Sequence, residues 1–467
     1  MKLCAGLLLG LLVAIVCPEA RSAESSPNVV VIFCDDMGWG DIGCFGNPTI
    51  RTPHLDRMAS EGQKWTQFYV ASPVCTPSRA ALMTGRYPIR NGMMSSKRVV
   101  LFPNSGGGLP QKEVTLAELL KQKDYAAGIF GKWHLGHLPQ YLPTAQGFDT
   151  YYGIPYSNDM DKIGGPNYHA EVVKDANYYP DIAHFNVPLM RDEQIIERPA
   201  DQNTITRRCT KEAIKFIRDK KDEPFFVYLP HSLPHIPLFV SNEFRGKSVR
   251  GLYGDVIEEI DWSVGQVLDT LRELRLDKKT LVVFTTDNGP WLTFQTHGGS
   301  AGPLRAGKGT TFEGGQRVPT IFWWPGTVKP AVVTELGSTL DLMATVAALT
   351  GTNPPDDRKL DSYDLSPVLL GTGKSPRREM FYWTRAELHA VRSGPWKLHV
   401  KQREPINYGR QVVLEKPELY HLERDISEAY DVADQHPDIV ERLLAMMNAH
   451  EADIEPHEDM LAIPLEK

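Results

Sequence analysis

Residues 28–36 read Asn-Val-Val-Val-Ile-Phe-Cys-Asp-Asp, and residues 280–288 read Thr-Leu-Val-Val-Phe-Thr-Thr-Asp-Asn. Each stretch is a mostly apolar, β-branched run that ends abruptly on polar residues. Runs that are apolar throughout are typical of strands buried on both faces of a sheet. The two stretches therefore predict buried strands with acid and amide side chains just beyond their C-terminal ends.

Working outward, similar strands alternate with helical patterns along most of the chain. Further strands are predicted at 126–130, 224–229 and 319–324, and helices at 204–219, 254–274 and 339–350. Thr52-Pro53 and the capping box that begins at Thr115 open two more helices. This alternation predicts an α/β fold, in which a large, mostly parallel sheet is sandwiched by helices.

The pattern changes after about residue 370. Short strands follow one another at 380–383, 390–392, 396–400 and 418–422, and a helix follows near 437–450. We predict a large α/β domain over 23–370 and a small C-terminal α+β subdomain over 371–467, built as an antiparallel sheet with a helix.

The first 22 residues carry the pattern of a secretory signal peptide. Lys2 precedes an apolar run too short to span a bilayer, and small residues at Ala20 and Ser22 suit cleavage; an uncleaved anchor is the alternative. No other segment is long and apolar enough to cross a membrane, and we expect no membrane span after cleavage. The mature chain has no usable Asn-x-Ser/Thr glycosylation site, which favours a bacterial protein exported to the periplasm or the medium.

Composition narrows the class of protein. The 467 residues carry a formal net charge of −7 without a long basic run, which argues against a partner that is a nucleic acid or an anionic membrane. An anionic substrate remains possible, because a small site can be locally positive on an acidic protein. Of the six cysteines, two lie in the signal segment, and the remaining four are too few for a disulfide framework.

Polar residues lie at or just beyond the ends of four predicted strands, where an open α/β sheet binds its ligands. They are Asp35 and Asp36, Lys132 and His134, His231 and His235, and Asp287 and Asn288. Taken singly, each pair is also typical of a turn or a helix cap. Their recurrence after four strands favours a site.

The acids and the amide suit a hard cation. Oxygen donors without thiolate or imidazole favour Ca²⁺ or Mg²⁺ over zinc, and crowded carboxylates repel each other unless a cation neutralises them. A zinc site at His231-x-x-x-His235 would need a helix, which three nearby prolines exclude.

The segment Cys75-Thr-Pro-Ser-Arg79, followed by Thr84-Gly85-Arg86, places a cysteine at the start of a predicted helix. A helix N-terminus attracts anions and lowers the pKa of a thiol. On residue chemistry alone, a buried cysteine beside a helix cap is the alternative.

This segment resembles the signature of type I sulfatases, in which the cysteine is oxidised to Cα-formylglycine during export. The blocks 28–41, 131–136, 286–289 and 307–315 also resemble family blocks, and the similarity spans about residues 27 to 425. Residues 153–157 and 361–371 look closest to arylsulfatase A and N-acetylgalactosamine-6-sulfatase.

The resemblance implies an alkaline-phosphatase-like fold and a role for each matching residue. Asp35, Asp36, Asp287 and Asn288 would bind Ca²⁺, or Mg²⁺, together with the hydrate oxygen of the formylglycine made from Cys75. Arg79, Lys132 and Lys308 would offset negative charge. His134 would hold and deprotonate the hydrate, and His235 would face the leaving oxygen. Ser157 would contact sulfate, as in the arylsulfatase A branch. His231 does not match the family pattern and is interpreted as structural.

The implied function is hydrolysis of a sulfate monoester, with a sulfated glycan such as a glycosaminoglycan as the expected substrate and a formylglycine-generating enzyme as the partner in maturation. The alternatives are a phosphate or phosphonate monoester hydrolase of the same superfamily and a non-catalytic glycan-binding relative. Pocket residues are expected in loops 93–110, 156–200 and 290–305, and the oligomeric state is left open.

Overall fold

A computed structural model describes residues 26–404 and 409–465, so the predicted signal peptide lies outside the described residues. Within the described ranges, no helix combines the length and the apolar character needed to cross a membrane.

The strands are β1 (Asn28–Cys34), β2 (Gln63–Tyr69), β3 (Ala126–Lys132), β4 (Thr150–Ile154), β5 (Leu189–Arg191), β6 (Gln194–Glu197), β7 (Phe225–Pro230), β8 (Thr280–Thr286), β9 (Arg317–Trp323), β10 (Ala331–Val333), β11 (Gly337–Ser338), β12 (Glu379–Thr384), β13 (Glu387–Ser393), β14 (Trp396–Arg403) and β15 (Gln411–His421).

The α-helices are α1 (Pro53–Glu61), α2 (Cys75–Thr84), α3 (Leu116–Lys121), α4 (Tyr168–Lys174), α5 (Ile205–Asp219), α6 (Leu252–Glu273), α7 (Glu313–Gln316), α8 (Leu342–Thr350), α9 (Ser366–Leu369) and α10 (Pro437–Asp453). The predicted capping box is present. The Thr115 side chain accepts from the backbone N–H of Glu118, and the Glu118 carboxylate accepts from the backbone N–H of Thr115.

The large sheet has the strand order β10-β2-β9-β8-β1-β7-β3-β4-β5-β6, with β11 beside β2. Its centre, from β8 to β4, is parallel as predicted. Strand β9, however, runs antiparallel to both β2 and β8. At the other end of the sheet, β5 runs antiparallel to both of its neighbours, β4 and β6. The sheet is therefore mixed. The connection over residues 287–316 is long enough for a crossover, but it returns to the edge of the sheet where β8 ends, and β9 starts from that edge in the opposite direction.

Helices cover both faces of this sheet. Alternate residues of β1 point to opposite sides: Val30 and Ile32 pack in one apolar core with α1, α5 and α6, while Val29 and Val31 pack in another with α2, α3 and α8. This explains why the strand is apolar throughout. The sandwich predicted from the sequence is confirmed.

Beyond residue 370, β12 to β15 form a four-stranded antiparallel sheet in sequential order, and α10 packs against it. The predicted antiparallel subdomain with a helix is present. The division at residue 370 stays a prediction, because this sheet shares an apolar core with Tyr69 and Tyr87 of the preceding part of the chain.

A fully buried group of charges joins the small sheet to the loop that contains Lys308. This Glu313 cluster consists of Glu313, Lys397, His399 and Glu428. Lys397 Nζ lies 2.9 Å from a carboxylate oxygen of both Glu313 and Glu428. Glu428 also pairs with His399 Nε2 at 2.8 Å and accepts from the backbone N–H of Glu313 at 2.6 Å.

Burial alone would raise the pKa of Glu313, but the charges of Lys397 and Arg317 outweigh it and lower that pKa from 4.5 to about 2. The folded state therefore favours the ionised carboxylate. Its stabilising contribution is present above about pH 4.5 and is lost as the pH falls toward 2.

We predict that Lys397→Met lowers the free energy of unfolding by about 3–5 kcal/mol, because it leaves buried carboxylates without their cation. Lys401→Met is the matched control on the same strand, since Lys401 pairs with Glu387 where both side chains are about a third exposed. The control should lose at most about 1 kcal/mol. Denaturant titrations at neutral pH measure the free energy of unfolding of both variants. Equal decreases in the two variants would contradict the proposed contribution of the cluster to stability.

Candidate active site

The predicted metal ligands meet because β1 and β8 are parallel neighbours in register. Cys34 lies opposite Thr286, and the backbone N–H of Asp287 donates to the Cys34 carbonyl at 3.1 Å. The two residues that follow each strand therefore lie at one edge of the sheet. There the backbone N–H of Asp36 donates to Asp287 Oδ1 at 3.2 Å.

Cys75 begins helix α2 and is buried at the same edge. Its Sγ lies 3.4 Å from Asp35 Oδ1 and 3.6 Å from Lys308 Nζ. Helix α2 ends at Thr84, and Gly85 after it adopts the left-handed conformation that is common in glycine at helix C-termini. The predicted nucleophile position and the predicted metal ligands therefore form one cluster.

Each predicted cation pairs with one of these carboxylates. Lys132 Nζ contacts Asp35 and donates to Ser157 Oγ at 3.1 Å. Lys308 Nζ lies 2.7 Å from Asp36 Oδ2. Arg79 Nε donates to Asp287 Oδ2 at 2.9 Å, Nη2 lies 2.8 Å from the same oxygen as an ion pair, and Nη1 donates to the Lys132 carbonyl. The site is a buried network of alternating charges.

The carboxylates differ in charge state. Burial and the neighbouring charge of Asp35 raise the pKa of Asp287 to about 7. Burial likewise raises the pKa of Asp36 to about 6, although Lys308 opposes it. For Asp35, burial acts in the same direction but is outweighed by Lys132, and its pKa lies well below the ordinary value. Holding all three ionised calls for more positive charge than the side chains supply, as a divalent cation would provide.

The donor set fits such a cation. Asn288 Nδ2 donates to Asp36 Oδ1 at 2.7 Å, while Asn288 Oδ1 is buried and has no hydrogen-bond partner among the described residues. Potential ligand atoms of Asp35, Asp36, Cys75 and His235 lie within 4.8 Å of one another. Carboxylate and amide oxygens dominate, as Ca²⁺ and Mg²⁺ prefer.

His235 enters the site from the loop after β7. Its Nδ1 hydrogen bonds with the Ile236 carbonyl and lies 3.1 Å from Asn158 Oδ1. A proton on Nδ1 therefore leaves Nε2 as the atom that faces the site, 3.6 Å from Asp36 Oδ2. Burial, reinforced by Lys308, lowers the pKa of His235 well below the ordinary value.

His134 follows β3 in a left-handed backbone conformation with φ of 62°, and Asp36 has φ of 65°. Such strain in non-glycine residues persists where the surroundings fix it, often at active sites. His134 Nε2 pairs with the Leu101 carbonyl at 2.9 Å, and its buried Nδ1 has no partner within the described chain. Burial and the charge of Lys132 lower its pKa well below the ordinary value.

His231 lies away from this cluster. Its Nε2 is 3.3 Å from Ser263 Oγ on helix α6, and burial lowers its pKa to about 4. No helix forms over 231–240, as the prolines in that loop predict.

Two contacts were not anticipated from the sequence. Asn158 orients His235, and it also donates to the Pro237 carbonyl at 3.0 Å. The ring of Trp291 lies 5.4 Å from that of His235 and has Lys308 Nζ 4.2 Å from its centroid. Asn158 directly follows Ser157, and Trp291 lies three residues after Asn288. This proximity to predicted site residues is the sequence feature that points to both.

Comparison with known proteins agrees with this geometry. The sulfatase family model matches residues 27–352, and a model for the C-terminal region of aryl-sulfatase matches 375–464. Arylsulfatase A of Homo sapiens is 40% identical over 444 residues, covering 89% of this chain and 86% of that protein. N-acetylgalactosamine-6-sulfatase of Canis lupus familiaris is 38% identical over 484 residues, covering 95% and 89%.

A solved structure described with the metabolism of multiple glycosaminoglycans by Bacteroides thetaiotaomicron has a TM-score of 0.78 and 30% identity. It covers 92% of this chain and 100% of its own. The predicted fold class and the family resemblance are confirmed. The chain belongs to the sulfatase family and is a sulfuric ester hydrolase.

Proposed function

We propose that the sulfate monoesters which this enzyme hydrolyses are carried by saccharides, with a glycosaminoglycan fragment as the favoured class. Relatives named for N-acetylgalactosamine-6-sulfate and for glycosaminoglycan metabolism support this substrate class. We also propose export to the periplasm or the medium after removal of residues 1–22, and a catalytic domain over 23–370. The single observation that carries the mechanism is the position of Cys75 between Asp35 and Lys308.

The Cys75 thiol is poorly suited to act unmodified. Burial, together with the charge of Asp35, raises its pKa well above the ordinary value, so it carries no charge at neutral pH. This supports its conversion to formylglycine by a formylglycine-generating enzyme. The hydrated aldehyde would supply one hydroxyl as the nucleophile and a second whose deprotonation releases sulfate.

Asp35, Asp36, Asp287 and Asn288 would hold Ca²⁺, with Mg²⁺ as the alternative. A divalent cation supplies Lewis-acid stabilisation of negative charge on the sulfate group. Arg79 holds Asp287 in place through a hydrogen bond from Nε and an ion pair from Nη2. Its role is thus to fix a ligand carboxylate and to add positive charge at the edge of the site.

Lys132, Lys308 and Ser157 would bind sulfate oxygens. Their donors surround the space beside Cys75 and would offset charge that grows on the transferring group. His235 Nε2 would give its proton to the leaving oxygen, and the anionic sulfate would raise the pKa of this imidazole when bound. His134, on another loop, would accept the proton of the second hydroxyl through Nδ1.

We predict that tryptic peptides spanning Cys75 have lost about 18 Da relative to cysteine in active enzyme, as formylglycine requires. Cys75→Ala should abolish turnover while leaving the thermal midpoint close to that of the wild type. Cys75→Ser should also be almost inactive and retain sulfate on its side chain, because it cannot expel sulfate by elimination. Steady-state rates like those of the wild type in either variant would refute the mechanism.

Chelation should remove activity, and Ca²⁺ or Mg²⁺ should restore it better than Zn²⁺ does, because the ligand atoms are oxygens. Asp287→Asn should lower both the bound metal, measured by elemental mass spectrometry, and the rate. Asp269→Asn is the control, because Asp269 forms a surface pair with Arg57. A fully active metal-free enzyme would disprove the assignment.

His235→Ala should impair a sulfated sugar far more than a nitrophenyl sulfate. A sugar alkoxide leaves poorly without a proton, and general-acid help is worth about 10²–10⁴-fold, whereas nitrophenolate leaves readily. His231→Ala should show no such contrast, since His231 faces Ser263. Equal losses of kcat on both esters would assign His235 to sulfate binding instead.

A further inference from the structure

A shallow surface cavity of about 610 Å³ lies between two loops that adjoin the candidate active site in sequence. Its lining comes from two loops in which the sequence placed pocket residues. The lining residues are Arg98, Phe102, Pro103, Asn104, Asp161 and Lys162.

Both walls of the cavity continue directly from active-site residues. On one side, Leu101 accepts from His134 Nε2 and donates its backbone N–H to Thr76 Oγ1 at 3.2 Å, and Phe102 is the next residue. On the other side, Tyr156 precedes Ser157 and its hydroxyl donates to Asp161. Both walls of the cavity are therefore formed by loops that also contact or carry residues of the candidate active site.

The uncompensated charge in the cavity is positive. Within the described ranges, no carboxylate lies within ion-pair distance of Arg98 or Lys162, whose Nζ donates to the Pro166 carbonyl. Asp161, the acid in the lining, pairs with Arg198 at 2.8 Å and accepts from Tyr156. The cavity is therefore locally positive although the chain has a net charge of −7.

Arg98 is also held in a defined orientation. Its Nη1 donates to Asn104 Oδ1 at 2.8 Å and to Ser105 Oγ at 3.0 Å, and its guanidinium lies 5.7 Å from the centroid of the Phe102 ring. Both hydrogen bonds come from Nη1, so the N–H groups of Nε and Nη2 can still donate to a carboxylate or a sulfate. Phe102 and Pro103 add apolar surface suited to the C–H face of a sugar ring.

We propose that this cavity is a subsite for the sugar unit next to the sulfated one, and that it takes a unit bearing a carboxylate or a second sulfate. The assignment rests on the proposed saccharide substrate. Arg98 and Lys162 bind the anionic group, while the ester itself lies at Cys75. The subsite makes the enzyme selective for anionic chains over neutral ones.

The test compares three substrates of one sulfated sugar: a disaccharide with an adjoining uronate or sulfated unit, the same disaccharide with that unit neutral, and the monosaccharide. Arg98→Gln combined with Lys162→Gln should lower kcat/KM about tenfold for the anionic disaccharide, chiefly through KM. The other two substrates should change less than about twofold. Lys211→Gln, an exposed lysine on helix α5, is the control.

Calorimetry on Cys75→Ala separates this proposal from the proposed function, because binding needs no turnover. Tighter binding of the anionic disaccharide that is lost in the double variant, and that weakens with added salt, supports the subsite even if the wild type hydrolyses no saccharide tested. Equal binding of anionic and neutral disaccharides, or equal losses on all three substrates, overturns it.

Discussion

Three carboxylates, from Asp35, Asp36 and Asp287, are held at one buried edge of the sheet, where their mutual repulsion is not screened by water. The parallel register of β1 and β8 brings these residues together, because the two strands end side by side at Cys34 and Thr286. The surrounding structure offsets that repulsion. Lys132, Arg79 and Lys308 come from three other segments of the chain, and each contacts at least one carboxylate. The positive field that stabilises the acids is the same field that an anionic substrate meets.

The sequence predicted most of this edge for a simple reason: parallel strands end side by side, so polar residues after apolar runs meet without knowledge of any loop. Helix α2 was equally readable, because Pro77 and Gly85 mark its two ends. The direction of β9 could not be read, since an apolar run looks alike in both directions and the connection decides. Asn158 and Trp291 reach His235 through loops whose paths depend on contacts distant in sequence.

The Glu313 cluster was also beyond prediction from local pattern. Lys397 and His399 alternate with apolar residues along β14, which is what a strand with one solvated face would show. Their face is instead buried by Glu313 and Glu428, residues far away in the sequence. Pairing across such distances leaves no periodic signal, and only the folded chain reveals which charged residues compensate one another.

The Glu313 cluster also links the candidate active site to a part of the chain far from it in sequence. Glu428 contacts the loop of residues 307–315, which is also bonded to the candidate site. The backbone N–H of Gly309 donates to the Pro73 carbonyl, and the Gly315 carbonyl accepts from the backbone N–H of Gly289. A side chain in place of Gly289 would collide with the Gly314 carbonyl. Pro73 lies just before Cys75, and Gly289 just after Asn288. A chain emerging from its N-terminus therefore contains every active-site residue long before it contains Glu428. The end of the chain therefore helps to fix the loop that carries Lys308, although every residue of the candidate active site precedes that part of the sequence.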